Sequence, residues 1–228
     1  MYAGYSLDLY KLNERSALYQ FLDSQIDDLE PYCQIEKDID SVCVKIPFDN
    51  EYDLYYKSLS KNCWSNLNKA YNKEKKTSAN MHLKVIHGGI SDKELLSDMM
   101  RIYTQRESAR KNRKIDFLAY FKHRYLSALT WAIQDMSTQY TFCIFLKDEL
   151  VAFMTGFETN FNEIVFPLVA MNDKFSQYAP GKLMISESIK YLQENTSIRC
   201  LDMSRGDERY KLEMGGVKHY NYYFSLRF

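Results

Sequence analysis

Apolar positions along the chain switch between two spacings, and the switches divide it into alternating helices and strands. Over residues 14–30, Leu18, Phe21, Leu22, Ile26 and Leu29 recur at helical spacing, which predicts one helix ending at Glu30, ahead of Pro31. SVCVKIPF, residues 41–48, reads as a strand stopped by Pro47. A polar helical segment follows over about 51–75, with Tyr52, Tyr55, Leu59, Trp64, Leu67 and Tyr71 on its more apolar side. MHLKVIHG, residues 81–88, alternates as a strand and ends in a Gly-Gly turn. Ser91, with Glu94 three residues on, is placed to cap the next helix, which runs to the basic segment 106–114. A long amphipathic helix is predicted over 116–135, with Leu118, Leu126, Leu129 and Ile133 on its core face.

The second half reads mainly as strands. Segments 141–146, 150–158 and 163–169 are strands, joined by a turn at Lys147-Asp148-Glu149 and a hairpin through Thr159-Asn160-Phe161-Asn162. A helix over 181–194, a short strand over 199–203 and an aromatic strand over 220–226 complete the pattern. The fold class is α/β (α+β): a mixed central sheet flanked by helices. The chain has no internal repeat and no low-complexity segment.

With 228 residues the chain can bury a sizeable core. Thirty basic residues balance thirty acidic ones, which argues against a broad nucleic-acid surface. The local exception is Lys61, Lys69, Lys73, Lys75 and Lys76, a basic cluster read as a solvated helix face or a contact for phosphates or an acidic partner. Nineteen tyrosines and thirteen phenylalanines suit cores with a wet edge, interfaces or sugar-lined grooves. Cys33, Cys43, Cys63, Cys143 and Cys200 are odd in number and lack CxxC spacing, so neither a disulfide framework nor a zinc site is expected. The reading is a reducing, cytoplasmic setting, with no leader and no membrane span.

Chemistry concentrates between Gln177 and Gly216. Pro180-Gly181 opens a helix whose free N–H groups can hold a phosphate, with Lys182 adding charge; an ordinary turn is the alternative. The loop Ser204–Lys211 follows a short strand, where functional groups gather. Arg205, Arg209 and Lys211 can position anionic groups, Asp202, Asp207 or Glu208 can take a proton, and Tyr210 can return one to a leaving group. The alternative is a salt-bridged loop locking the last helix against the sheet. Glu158 and Glu163, flanking the hairpin, are further candidate bases. His82, His87, His123 and His219 match no metal motif, and no nucleophile elbow, Walker loop or dinucleotide fingerprint occurs.

The order LKDELVAFMTGFE, then MNDKFSQYAPGKLMISESIKYL, then IRCLDMSRGDERYKLEMGG resembles the acetyltransferase-like family related to the cellulose-biosynthesis CelD proteins, within the GNAT superfamily and akin to Fem peptidyltransferases. The matching segments are Lys147 to Ala152, Tyr178 to Leu183 and Arg205 to Gly215, and SLSKNCWSNLNKAYNK is similar to the family's basic opening helix. The likeness covers roughly Phe48 to Gly216, which makes 48–228 a GNAT-like domain, with 1–47 as a remnant or extension packed on it. It implies an acyl-CoA donor, acetyl-CoA first, whose pantetheine arm lies by Val151, Ala152 and Phe153 and whose pyrophosphate meets Pro180, Gly181 and Lys182. It implies direct attack by an amine, an amino sugar of an exopolysaccharide or envelope precursor being the expected acceptor, with no metal. The chain departs from the family in holding one GNAT-like half, which a homodimer can complete, and in carrying Asn and Lys at usual Arg positions of the opening helix. Two other readings are a tRNA-dependent Fem-like transferase and a non-catalytic binding or assembly protein of polysaccharide synthesis.

Overall fold

The computed structural model describes residues 4–48, 51–78, 80–111 and 137–228, the side chains of 107–111 excepted. Among the described residues eight strands form one sheet: β1 (Ser6–Asn13), β2 (Gln34–Pro47), β3 (His82–His87), β4 (Gln139–Leu146), β5 (Glu149–Glu158), β6 (Glu163–Met171), β7 (Cys200–Arg205) and β8 (Val217–Arg227). Their spatial order is β1-β8-β2-β7-β6-β5-β4-β3. Every neighbouring pair is antiparallel except β6 and β7, which are parallel because a helix crosses over between them. Segment 1–47 thus contributes two strands hydrogen-bonded into the sheet, with β8 inserted between them.

Alternation along the central strands sends side chains to two cores. Phe142, Ile144 and Met154 face α3 (Tyr52–Ser58), α4 (Lys61–Thr77) and α6 (Pro180–Asn195), while Cys143 and Phe153 face α5 (Lys93–Lys111). A smaller cluster lies over the β1–β8–β2 end, where α1 (Ala17–Ser24) and α2 (Ile26–Leu29) bring Tyr19, Leu22, Ile26 and Leu29 against Phe224 and Leu226. A short 3-10 helix (Asp173–Tyr178) and a single-turn α7 (Arg209–Glu213) complete the elements among the described residues.

The apolar pattern located the elements and missed their breaks. The helix expected over 14–30 stops at Gln25 (φ −106°, ψ 7°) and restarts, so Ser16 caps α1 and a separate turn precedes Pro31. The helix expected over 51–75 parts at Leu59 and Ser60, both extended, and Ser60 Oγ accepts the Cys63 N–H to start α4. Asp92, not Ser91, caps α5: its Oδ1 accepts the Leu95 N–H at 3.0 Å, three residues on, as capping geometry requires. The strand expected over 41–48 starts earlier, at Gln34, and β1 was unanticipated. The amphipathic helix expected over 116–135 and His123 lie outside the described residues.

Candidate functional site

The parallel pair does not stay together. β6 and β7 are in register only at Glu163↔Cys200, Ile164↔Leu201 and Val165↔Asp202, although β6 runs on to Met171 and β7 to Arg205. Two local features coincide with the parting. Pro167 has no N–H to give to a ladder. On the other side, β6 spends three steps between Val165 and Leu168 while β5 spends two between Phe157 and Thr155, a bulge that bends β6. Gly156 sits opposite the bulge, where a Cβ would come within 2.3 Å of the Val165 carbonyl oxygen and 2.7 Å of Phe166 Cδ1. Past Val165 the facing strand edges carry no ladder hydrogen bonds to each other, so the wedge suits an extended ligand that brings its own amides.

The helix following β6 starts at this wedge. Ala179 adopts the left-handed conformation (φ 47°) and Pro180 takes the first turn, where its absent N–H costs nothing. The Lys182 and Leu183 amides donate to the Ala179 carbonyl, no side chain caps the helix, and the Gly181 amide has no backbone acceptor. Gly181 is buried, and a Cβ there would meet Met171 Cε at 2.8 Å. Lys182 Nζ pairs with Glu213 Oε2 at 2.5 Å, and Arg209 Nε with Glu213 Oε1 at 2.8 Å. The expected anion-binding lysine therefore already has a carboxylate partner, which ties α6 to α7.

Register defines the face on which the predicted acids stand. Lys45 is paired with Asp202, and Val165 with Asp202, so Lys45, Asp202 and Glu163 share one face of the sheet. Lys45 Nζ lies 2.6 Å from Glu163 Oε2 and 3.8 Å from Asp202 Oδ2. Asp202 Oδ1 accepts the Ser204 N–H at 2.8 Å, and Oδ2 faces His219 Nε2 at 3.3 Å. Asp202 is buried and belongs to the last register pair before the strands part. Glu158 pairs with Ile164, on the opposite face, so the structure does not bring Glu158 and Glu163 together.

Other expected residues fall into four groups. Val151, Ala152 and Phe153 are fully buried in β5, Ala152 and Phe153 are paired on both sides, and the parting lies one strand away, beside β6. Lys211 is a structural post: its buried ammonium donates to the Met203, Arg205 and Gly206 carbonyls at 2.8–3.0 Å and pairs with Glu208, leaving no proton for a substrate. Asp207 pairs with Lys218, whose hydrogen bond holds its carboxyl below the usual range, and Arg205 with Asp40; both pairs lie toward solvent. Tyr210, half-buried on α7, packs against the main core. Lys45 and His219 were not foreseen beside Asp202, nor Asn13 beside His219, since only strand pairing brings them together from β2, β8 and β1.

No thiol is primed for covalent chemistry among those whose state is shifted. Burial pushes Cys143 and Cys200 up to about 12 and raises Cys43 and Cys63 in the same direction, so each stays a thiol at neutral pH. Among the described residues no cluster of histidine, cysteine and carboxylate could hold a metal, and no helix is long and apolar enough to cross a membrane.

A parallel pair that opens at a bulge, with a helix start at the mouth, is joined by a direct sequence match: residues 65–212 fit the family model of the acetyltransferase (GNAT) domain. The chain belongs to the GNAT family. It is accordingly an acyltransferase, and GNAT domains use acyl-CoA. No curated protein matches this GNAT chain significantly. Solved structures share its fold. A conserved protein of unknown function from Bacteroides thetaiotaomicron aligns with TM-score 0.64 at 10% identity, covering 97% of this chain and 69% of that one. L-PGS from Bacillus licheniformis aligns with TM-score 0.58 at 13% identity, covering 98% and 68%. FemX aligns with TM-score 0.63 at 10% identity, covering 96% and 71%.

The Lys182–Glu213 tie makes this GNAT domain acid-sensitive at its mouth. The hydrogen bond from Lys182, with Arg209 beside it, holds the Glu213 carboxyl below its ordinary value. A depressed carboxyl contributes stability above the unfolded-state value, and that contribution is lost as pH falls through the folded-state value. Glu213→Gln is therefore expected to cost on the order of 1–2 kcal/mol at pH 7. In urea titrations the gap to wild type should close as pH falls below the ordinary glutamate range; a gap unchanged by pH would show that the charge contributes nothing.

Proposed function

We propose that the chain is an N-acyltransferase that moves an acetyl or related acyl group from acyl-CoA to an amine held at the Asp202 side of the wedge. The observation that carries this reading is the parting of β6 and β7 immediately after Val165↔Asp202, in a chain that belongs to the GNAT family. The pantetheine amides would pair with the open edges of β6 and β7, and the pyrophosphate would meet the Gly181 amide at the uncapped start of α6. The amine nitrogen attacks the thioester carbonyl carbon, the C–N bond forms as C–S breaks, and the amine proton passes to Asp202. Tyr210 is the proposed donor to the departing thiolate. Most of the acceleration in such a site comes from alignment of the two substrates. The proposed acceptor is an amino sugar of an exopolysaccharide or envelope precursor.

Calorimetric titration with acetyl-CoA and, separately, desulfo-CoA tests the donor. Saturable binding of one ligand per chain is expected. Gly181→Glu should weaken it by about tenfold or more, because the new side chain collides with Met171 and sets a negative charge at the pyrophosphate position. Wild-type affinity in that variant would remove the donor site from α6.

One observation favours a second reading, transfer from an aminoacyl-tRNA. Lys61, Lys69, Lys75 and Lys76 are solvent-exposed along α4, and none of them has a carboxylate partner among the described ion pairs. RNA bound there would show affinity falling steeply with salt. Salt-independent or undetectable tRNA binding would eliminate it.

A further inference from the structure

Behind Asp202 stands a chain of polar groups whose proton positions are fixed one by one. The Arg15 backbone N–H donates to Asn13 Oδ1 at 2.9 Å, which settles how the Asn13 amide is turned. Its Nδ2 is therefore the atom 3.3 Å from His219 Nδ1. An amide nitrogen only donates, so Nδ1 must accept, and the imidazole proton is on Nε2. That N–H is buried, makes no closed hydrogen bond, and faces Asp202 Oδ2 at 3.3 Å. A buried donor without a closed bond is costly, and the arrangement makes sense if the contact tightens when substrate engages the carboxylate. Lys45 does not compete for this role, since Glu163 holds its ammonium at 2.6 Å while Asp202 Oδ2 is 3.8 Å away.

From this geometry we infer that His219 is a positioning residue for Asp202, kept as the Nε2–H tautomer by Asn13 of β1. The inference rests on the reading of Asp202 as the base. The Ser204 N–H holds one carboxylate oxygen, Oδ1, and the His219 Nε2–H faces the other, Oδ2, so that tightening of this second contact would fix the carboxylate plane. It makes β1, at the far edge of the sheet, part of the catalytic apparatus through a side-chain link spanning 206 positions in sequence.

The test has two arms. In long-range nitrogen–proton NMR spectra of histidine-labelled protein, with His219 assigned by its loss in His219→Gln, the ring should carry its proton on Nε2. Asn13→Asp should change that state, because a carboxylate at this point accepts from Nδ1–H, and Asp202→Asn should shift the Nε2 resonance. A wild-type ring protonated on Nδ1, or an Nε2 signal indifferent to Asp202→Asn, overturns the inference whether or not a substrate is in hand. The second arm follows CoA release from acetyl-CoA with glucosamine as acceptor. His219→Leu and Asn13→Asp should lower kcat by about tenfold or more with KM for acetyl-CoA little changed, and His219→Gln, which keeps a donor, should recover part of the loss. If Asp202→Asn abolishes transfer while His219→Leu does not, the positioning role is wrong. If Asp202→Asn leaves transfer intact, the base assignment fails, and the positioning role built on it falls too, even where the tautomer is as expected.

Discussion

Replacing Asp202 by asparagine is expected to lower kcat for acyl transfer by about 10²–10⁴-fold, the range over which a positioned proton acceptor contributes. The substitution is nearly isosteric, and its amide oxygen can still accept the Ser204 N–H, so the loop after β7 keeps its anchor. What disappears is the oxygen able to take a proton from the acceptor's ammonium before attack, or from the amine as it attacks. KM for acyl-CoA should change little, because the donor would lie along the strand edges and the start of α6. Glu163→Gln is the control. Glu163 stands one register step before Ile164↔Leu201 and is engaged by Lys45, so its loss should cost far less in rate. Steady-state kinetics of both variants decide the assignment: equal losses, or a larger loss at Glu163, would transfer the role of base to β6.

The second large effect is structural. Gly156→Ala is expected to destabilise the fold by about 2–4 kcal/mol, read from urea denaturation. The new methyl would stand 2.3 Å from the Val165 carbonyl oxygen and 2.9 Å from its carbonyl carbon, backbone atoms that cannot rotate away. Relief requires β5 and β6 to separate at the bulge that opens the wedge. Donor binding should therefore weaken along with stability, which calorimetry on the folded fraction can follow. Alanine at Gly88, where nothing lies within 4 Å, has no such clash to relieve despite its φ of 88°. A stability loss at Gly156 no larger than at Gly88 would mean that close approach at the bulge is not what the glycine supplies.

Much of the fold was readable because local physics dictates it. The six central and C-terminal strand or helix segments from Gln139 onward fall where alternation and the Pro180 start placed them, within a few residues. Breaks were less readable: Gln25 and the Leu59–Ser60 step interrupt patterns whose apolar spacing continues across them. β1 escaped notice because it is an edge strand with most side chains exposed, so no buried face writes a period into its sequence. The candidate site divides the same way. Asp202 and Glu163 stood out as acids at strand ends, and Pro180-Gly181 as a helix start. Lys45 and His219 look unremarkable in sequence, and the contacts that give them meaning span 118 residues to Glu163 and 206 to Asn13. Lys211 was misread for the opposite reason. A basic residue in a polar loop suggests an anion contact, and only the three-dimensional turn reveals three carbonyls converging on its ammonium. Gly156 carries no sequence signal beyond being a glycine in a strand.

The insertion of β8 between β1 and β2 has a kinetic consequence. Its register partners, such as Ser6↔Arg227 and Gln34↔Arg227, lie almost the whole sequence apart, so the loop-closure entropy of this half of the sheet must be met before its contacts return anything. Until β8 docks, β1 and β2 have no common neighbour and both expose unpaired edges, while the β4–β6 meander can form from pairings close in sequence. Folding should then proceed in two stages, the antiparallel meander first and the β8 insertion last. The carboxylate at position 202 would gain its full set of neighbours only in that final, slow step, so that competence for catalysis and completion of the sheet become a single event.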